Sequence, residues 1–299
     1  MRHCARCQAV LDEAGWTCKA CGFAPPLVAG FPAFAPELAA SNEGFNAVYF
    51  DELYTLEARN YWFRARNALL IWTMRKFFPD ARTYLEIGCG TGFVLAGIAA
   101  AMPQLAIHAS EMSSSGLPYA ARRVPQAELF QMDARAIPYA DHFDVIGLFD
   151  VIEHIEDDAR VLTQAHRALR GGGGLVITVP QHRFLWSQFD ERAQHVRRYS
   201  ARELRDKVAA AGFRIVMMTS FVSLLLPLMI MSRFKQRAPR ADYDALADLR
   251  VGRIANFLLE AALAFERALI KLGIRFPAGG SLLLLAQRRR KRRLGNGEC

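Results

Sequence analysis

The chain has 299 residues, of which 52% are hydrophobic and 22% charged, so it can bury one large core with a small appendage. Its net charge is +9, but six positive charges lie in one run at residues 288–293, and the rest of the chain carries only +3. A body this mildly basic excludes a broad nucleic-acid-binding surface. The basic run alone is either a solvated, disordered terminus or a contact for RNA or an anionic membrane.

Four of the six cysteines lie in residues 1–36, as two Cys-x2-Cys pairs separated by ten residues: Cys4, Cys7, Cys18 and Cys21. The first twenty residues lack the continuous apolar core of a secretory signal, which predicts a cytoplasmic protein whose thiols stay reduced. Two such pairs can hold Zn²⁺ tetrahedrally. The segment resembles a zinc ribbon, and a closed set of four thiolates predicts a structural or docking zinc rather than a catalytic one.

Residues 37–80 are predicted to form a helical linker or cap. The stretch "AGFPAFAPE" is rich in proline and apolar residues, which is typical of a linker packed against the body. The aromatic, helical pattern of residues 42–78, including "NYWFRARNALLIWTMRKFF", predicts helices that cover the core of the main domain.

Residues 81–220 alternate short apolar runs with helical stretches. Strands are predicted at "TYLEI", "LAIHAS", "AELFQM", "FDVIGLF" and "GLVITV", with helices between them. This alternation predicts an α/β fold with a parallel sheet and crossover helices. The helix in "SARELRDKVAAAGF" is expected to begin after Ser200, with Glu203 at capping-box spacing, and to end at Gly212.

Residues 221–275 are predicted to be an apolar helical insertion or lid. The eighteen uncharged residues "IVMMTSFVSLLLPLMIMS" are explained by a buried strand and helix, by an interfacial or lid element, or by a membrane span, although Pro227 shortens the apolar run. A later segment repeats apolar residues on one helical face, as amphipathic helices do. That face contains Ile254, Phe257, Leu258, Ala261, Phe265, Leu269 and Leu272. Residues 276–299 are expected to be a last strand and the basic tail.

The stretch "YLEIGCGTGF" predicts a strand that turns tightly into a helix, with glycines at positions 88, 90 and 92. A Walker phosphate loop needs Gly-Lys-Ser/Thr after its last glycine, and none follows Gly92. The dinucleotide fingerprint needs a glycine where Phe93 stands. Both phosphate-binding interpretations are therefore weakened.

The spacing in "EIGCGTG" resembles the first motif of class I S-adenosylmethionine-dependent methyltransferases, which have a Rossmann-like sheet. The resemblance implies that Gly88, Gly90 and Gly92 let the backbone approach the amino-acid and ribose parts of the cofactor. It also implies that Glu86 offers a carboxylate to the cofactor's ammonium group.

Three further acids match that family's pattern at successive strand ends. The resemblance implies that Glu111 accepts both ribose hydroxyls and that Asp133, beside Ala134, accepts from the adenine amino group. Asp150 matches the position near the methionine part of the cofactor. This resemblance covers residues 83–213.

The candidate catalytic residues are Glu153 and His154 in "DVIEHIEDD" and the distant His195. The first motif is similar to the "ExxEH" motif of Mg²⁺-dependent O-methyltransferases of ubiquinone biosynthesis and of small-RNA terminal-ribose methyltransferases, although Asp150 replaces its first glutamate. The three residues are predicted either to hold a divalent ion such as Mg²⁺ or to supply a histidine general base. Histidines that simply hydrogen-bond the loop backbone are the alternative.

The favoured hypothesis is O-methylation of a small apolar, lipid-like or quinone-like acceptor, with peripheral membrane contact by the apolar stretch. The second is an RNA or protein methyltransferase in which the zinc ribbon and the basic tail hold a macromolecule. The third is a non-catalytic zinc-ribbon adaptor, which four intact cofactor-binding acids disfavour.

Overall fold

The computed structural model describes residues 1–12, 15–40, 49–235 and 249–290, apart from the side chains of residues 234 and 235. The strands are β1 (Leu27–Val28), β2 (Phe31–Pro32), β3 (Thr83–Ile87), β4 (Ala106–Glu111), β5 (Glu128–Gln131), β6 (Phe143–Phe149), β7 (Leu169–Pro180), β8 (Phe213–Phe221) and β9 (Ser281–Arg288). The helices are α1 (Phe50–Leu56), α2 (Tyr61–Phe77), α3 (Phe93–Ala101), α4 (Leu117–Arg123), α5 (Asp158–Ala168), α6 (Gln188–Arg192), α7 (Ala201–Ala210), α8 (Leu226–Lys235) and α9 (Arg253–Lys271).

A seven-stranded sheet in the order β5-β4-β3-β6-β7-β9-β8 forms the centre of the main domain. The pairs from β5 to β7 are parallel, whereas β9 is antiparallel to both β7 and β8. The predicted Rossmann-like α/β fold is therefore confirmed, with one reversed strand. The orientation of β9 depends on the helices that precede it, and its uniformly apolar run "LLLL" does not encode a direction.

Helices cover both faces of the sheet, and each face has its own apolar core. Alternate residues of one strand point to opposite faces, so Tyr84 belongs to one core and Leu85 to the other. The first core contains side chains of α2, α3, α4 and α9, and the second contains side chains of α5 and α7. This three-layer arrangement leaves the carboxyl ends of the parallel strands to form a site.

The amino-terminal segment packs on the β5 edge of the sheet. The Arg2 guanidinium lies 2.5 Å from Glu128, and the Trp16 ring packs edge-on against Phe34 at 4.5 Å between centroids. The backbone at Ala33 forms a parallel bridge with Gln131. The linker thus packs against the body, as its composition predicted, and it shields this sheet edge.

The predicted N-terminal cap of α7 is present, since the Ser200 hydroxyl accepts from the Glu203 N–H. The apolar stretch after residue 213 forms β8 and then α8. Throughout the described ranges, no helix combines the length and the apolarity needed to cross a bilayer. The amphipathic helix predicted after residue 253 is α9, but most of its apolar stripe is turned outward. Its opposite face, including Leu263 and Ile270, packs into the core.

Candidate active site

A cavity of about 990 Å³ opens at the carboxyl ends of β3, β4, β6 and β7 and extends to α8 and α9. This volume is at the upper end of the range of roughly 300–1,000 Å³ that is usual for small-molecule sites. Nine of the eleven predicted cofactor and catalytic residues line it: Gly88, Gly90, Glu111, Asp133, Ala134, Asp150, Glu153, His154 and His195. Glu86 and Gly92 are not among the lining residues.

The glycine turn between β3 and α3 needs glycine for different reasons at successive positions. Gly88 has φ +71°, and a Cβ there would lie 2.5 Å from Cγ2 of Val151. Gly90 has φ +52°, and a Cβ there would meet no atom within 4 Å. The backbone at Gly90 is therefore open on its side-chain side, and a ligand can approach it closely.

Gly92 and Glu86 lie behind the turn. A Cβ on Gly92 would lie 2.8 Å from Cα of Ala120, so this glycine allows α3 and α4 to pack closely. The buried Glu86 carboxyl accepts a 2.9 Å hydrogen bond from the Tyr84 hydroxyl. Burial raises the pKa of Glu86 to about 8, so the side chain is mostly protonated at neutral pH. The structure does not bring either residue to the cavity.

Glu111 lies at the end of β4, with its carboxylate over the glycine turn. Its two oxygens accept from the N–H groups of Gly90 and Met112, each at 2.8 Å. Burial raises the pKa of Glu111, and these backbone hydrogen bonds oppose that rise by stabilising the charged form. The side chain holds the turn in place and also borders the cavity.

Asp133 follows β5 and lies at the same edge of the cavity as Glu111. Its carboxylate receives two 3.0 Å contacts from Nε of Arg135 and one 2.8 Å hydrogen bond from the Arg135 N–H. Ala134 beside it is buried and lines the cavity wall. Asp133 is thus positioned at the cavity while paired with a neighbouring cation.

Asp150 follows β6 and has a left-handed backbone conformation, with φ +56°. Its carboxylate lies 2.5 Å from the guanidinium of Arg66, a buried residue of α2 that also lines the cavity. Sequence reasoning missed Arg66, because "YWFRARN" indicates only a helix and gives no sign of which arginine faces inward. A left-handed non-glycine residue at such a point is a form of strain that is concentrated at functional sites.

Glu153, His154 and His195 meet in the middle of the cavity wall, although 41 residues separate the last two in sequence. Potential ligand atoms of the three lie within 4.8 Å of one another, and the histidine rings are 4.7 Å apart edge to face. Glu153 is fully buried, and within the described residues neither carboxylate oxygen has a hydrogen-bond partner. Burial and the nearby charge of Asp150 raise its pKa well above the usual value, whereas burial lowers that of His154 to about 3.

His195 is oriented by Asp190, a fully buried residue of α6. Nδ1 of His195 lies 2.8 Å from Oδ1 of Asp190, and the Arg198 guanidinium donates to both Asp190 oxygens at 2.7 and 3.0 Å. Burial alone would raise the pKa of Asp190, but these hydrogen bonds outweigh it and lower the pKa to about 2. The ionised carboxylate accepts a hydrogen bond from Nδ1 of His195, which leaves Nε2 as the ring nitrogen available to a substrate or ligand.

Asp190 was also missed by sequence reasoning, although a signal was present. Asp190 completes a capping box with Ser187 at the start of α6, so the local pattern explains it as a helix cap. Its second role, toward His195 and Arg198, depends on the fold of the loop that follows. Arg198 also donates to the Gln181 carbonyl oxygen at 3.3 Å, so it ties Asp190 to the end of β7.

The donor set at Glu153, His154 and His195 does not favour Mg²⁺. Mg²⁺ prefers oxygen ligands in octahedral geometry, whereas this cluster offers two imidazoles and one carboxylate. Such a set suits a first-row transition ion instead, and the unpartnered oxygens of Glu153 are available to one. The Mg²⁺ prediction is thus unsupported by the residues present.

The four amino-terminal cysteines converge on a second cluster, far from the cavity in sequence. Sγ of Cys4 lies 3.6 Å from that of Cys21, and Sγ of Cys7 lies 3.6 Å from that of Cys18, so the thiols are not disulfides. A tetrahedral site with Zn–S bonds of about 2.3 Å places its sulfurs about 3.8 Å apart. The cluster permits zinc, and the zinc ribbon itself stays a prediction.

The family model of a methyltransferase domain matches residues 54–217, which is more than half of the chain. The chain belongs to this family. The methyltransferase-domain match begins in α1 and ends in β8, so it contains the glycine turn and the carboxyl ends of the parallel strands that border the cavity. The prediction of a class I methyltransferase is therefore confirmed.

Curated relatives of this methyltransferase-domain chain carry related names. A "Probable S-adenosylmethionine-dependent methyltransferase" of Mycobacterium tuberculosis is 32% identical over 164 residues, covering 53% of this chain and 57% of the relative. The ubiquinone biosynthesis O-methyltransferase of Candida albicans is 26% identical over 125 residues, covering 39% of this chain and 38% of the relative. The chain thus spans little more than half the length of the first of these.

Solved structures with the same fold include a phosphoethanolamine N-methyltransferase of Haemonchus contortus in complex with S-adenosylmethionine. It has a TM-score of 0.51 and 19% identity, covering 75% of this chain and 53% of that one. A possible histamine N-methyltransferase of Thermotoga maritima has a TM-score of 0.51 and 16% identity, covering 81% and 95%. At these identities the likeness supports the fold alone.

Proposed function

We propose that this chain transfers the methyl group of S-adenosylmethionine to an oxygen atom of a small, apolar acceptor. The observation that carries the proposal is one continuous cavity with two unlike ends. One end is formed by the glycine turn and acids at strand ends, and the other by apolar side chains of α8 and α9. His195, with Nε2 available as an acceptor, lies on the wall of the same cavity.

The strand-end region suits the cofactor. The open backbone at Gly90 accommodates close approach, and Glu111 presents a carboxylate to ribose hydroxyls. We assign Arg66 to the cofactor's carboxylate, because it is a buried cation of α2 on this wall and its Nε has no hydrogen-bond partner among the described residues. Glu86 and Gly92 support the turn from behind.

The other region suits an apolar acceptor. Leu225, Leu228 and Met229 of the α8 region and Leu259 of α9 line the cavity there. Apolar walls with a few placed polar groups are typical of small-molecule sites. The name of the Candida albicans relative, an O-methyltransferase of ubiquinone biosynthesis, supports oxygen as the methylated atom.

The reaction is an in-line displacement in which the acceptor oxygen attacks the methyl carbon as the bond to sulfur breaks. We assign Nε2 of His195 to the acceptor's hydroxyl proton, with Asp190 stabilising the imidazolium that forms. The products are the methyl ether, S-adenosylhomocysteine and a proton on His195. A first-row divalent ion on Glu153, His154 and His195 would supply the alternative, by lowering the pKa of the hydroxyl.

The test supplies purified protein with methyl-labelled S-adenosylmethionine and a lysate of the source organism, followed by separation of lipid-soluble, RNA and protein fractions. We expect label in the lipid-soluble fraction, and its loss in a His195→Ala variant that still binds S-adenosylhomocysteine. Label in RNA or protein would overturn the small apolar acceptor. A parallel incubation with EDTA distinguishes general-base catalysis from metal activation of the hydroxyl. Methyl transfer by a general base should continue after chelation, whereas metal-dependent transfer should stop.

We also propose that the four amino-terminal cysteines hold one structural zinc ion that stabilises residues 1–36. Metal analysis of the purified protein should give one zinc per chain, and Cys18→Ser should release it. The control is Cys89→Ser, a buried cysteine of the glycine turn outside the cluster, which should retain the zinc. Protein that contains no zinc when purified without chelators would contradict this assignment.

A further inference from the structure

The outer face of α9 is apolar along its whole length. The side chains of Ile254, Phe257, Leu258 and Phe265 are 79%, 69%, 60% and 60% exposed, and Leu272, just past the helix end, is also exposed. At 100° per residue these positions fall within an arc of about 100° on one side of the helix. Scattered exposed apolar residues are ordinary, whereas a stripe of this length marks an interaction surface.

The charges on α9 favour one kind of partner. Arg253 and Lys271 are exposed and lie on the same flank of the stripe, one at each end of the helix. The acids do not offset them at the surface, because Glu260 is paired with Arg64 at 2.7 Å and Glu266 is buried. An apolar stripe flanked by cations is the pattern of a helix that lies in the interface of an anionic bilayer.

Exposed apolar side chains are also found on α8, beside the cavity. Leu228 of α8 lines the cavity and is also more than half exposed, and Met231 is exposed one turn further on. The buried Glu266 carboxylate of α9 accepts from the N–H groups of Ser223 and Leu224 at 2.7 and 2.8 Å, which ties the segment that leads into α8 to α9. Side chains of both helices line the same cavity, among them Leu228 of α8 and Leu259 of α9.

We infer that the outer face of α9, together with the exposed side of α8, docks this protein on an anionic lipid bilayer with the cavity mouth toward the membrane. The helix lies in the interface and does not cross the bilayer, in keeping with its length and charges. Docking in this orientation lets an apolar acceptor pass from the bilayer into the cavity. This route for the acceptor rests on the proposed function. The docking itself does not depend on it.

The experiment measures binding of the full chain to vesicles by flotation. Vesicles of phosphatidylcholine are compared with vesicles of two parts phosphatidylcholine to one part phosphatidylglycerol, at low and high salt. We expect binding to the anionic vesicles that salt weakens. The double variant Phe257→Ser/Phe265→Ser should reduce the partition constant about tenfold or more, and Arg253→Glu/Lys271→Glu should reduce it on anionic vesicles only.

Matched controls are available on the same chain. Leu27→Ser alters an apolar side chain of the amino-terminal segment that is 70% exposed, and Arg202→Glu alters an exposed cation of α7. Both should bind vesicles like the unaltered protein. All variants should bind S-adenosylhomocysteine equally, which shows that they are folded.

Three outcomes would overturn the inference. One is no binding to anionic vesicles. Another is binding that the serine variant retains, which would assign the contact to the basic run at the carboxyl terminus. The third is a dimer that the serine variant converts to a monomer, which would make the α9 face an interface between copies. Label transfer to a lipid-soluble acceptor in detergent, without vesicle binding, would retain the proposed function and reject the docking.

Discussion

The two ends of the cavity are built in different ways. The cofactor end consists of a glycine turn and side chains at or just after the carboxyl ends of β4, β5 and β6, so the position of each of these side chains is fixed by its strand. The acceptor end combines the loop around Glu153, the loop around His195 and two helices that lie between β8 and β9. Local sequence determines the first end, and long-range packing determines the second. Substitutions should therefore affect cofactor binding and methyl transfer separately.

The largest effect is expected at the junction of the two ends. His195→Ala should lower kcat by about 10²- to 10⁴-fold, because it removes the group assigned to the acceptor's proton. Cofactor affinity should be unchanged, which isothermal titration with S-adenosylhomocysteine measures. His166→Ala is the control, since that half-buried histidine packs on Phe213 away from the cavity. A His195→Ala variant with normal kcat would remove His195 from the chemistry.

At the cofactor end, Glu111→Ala should weaken cofactor binding by about 1.5–3 kcal/mol, the value of charge-assisted hydrogen bonds. The same titration measures this change. Turnover at saturating cofactor should fall much less, because the acceptor end is untouched. Glu37→Ala, an exposed acid, serves as the control. Equal cofactor affinity in Glu111→Ala would mean that β4 does not contribute the ribose contact.

The contrast between the two ends also explains what could be predicted from sequence. The strands from β3 to β7 were placed within a few residues, since each is a buried apolar run followed by a turn. Their acids could then be assigned by position. The pairing of Glu153 and His154 with His195 could be proposed only by resemblance, because no local pattern links two loops 41 residues apart.

Other features were beyond sequence reasoning for physical reasons. Periodicity identifies the apolar stripe of α9 but cannot tell whether the stripe faces a core or an outside partner, and the structure turns it outward. Glu86 fits the cofactor motif, yet whether its carboxyl faces the cavity depends on the Tyr84 hydroxyl behind the turn. Arg66 reaches the site from a helix outside the motif. In each case the deciding contact is long-range or depends on side-chain direction.

A smaller effect, on stability, is expected at the acceptor end. The pKa of Asp190 is about 2 in the folded protein against an ordinary value of 3.8, so the ionised group stabilises the fold by roughly 2 kcal/mol. Because the folded pKa is the lower one, this stabilisation is present above about pH 4 and is lost as the pH falls toward 2. Asp190→Asn should lower the free energy of unfolding by about that amount at pH 7, and the difference should narrow below pH 4.

Urea denaturation at pH 7, 5, 4 and 3 measures this prediction. Asp206→Asn is the control, since its exposed carboxylate faces Arg202 at 3.6 Å on the surface of α7 and should change stability by less than about 0.5 kcal/mol. A difference for Asp190→Asn that stays constant from pH 7 to pH 3 would show that the group's charge does not stabilise this loop.

A last pair of substitutions separates the roles of two glycines in one turn. Gly90→Ala and Gly92→Ala each place a side chain at positive φ, which costs about 1–2 kcal/mol. At Gly90 the new methyl group enters open space on the cavity side, so cofactor affinity should fall. The free energy of unfolding should fall by little more than the cost of the positive φ. At Gly92 the methyl group meets Ala120, so the free energy of unfolding should fall further than at Gly90. Cofactor affinity should decrease only indirectly, because α3 is packed less tightly. Thermal unfolding and cofactor titration on both variants measure the two quantities. If Gly92→Ala instead lost affinity with no loss of stability, the cofactor would reach further along the turn than the cavity does, and Gly92 would belong to the binding surface.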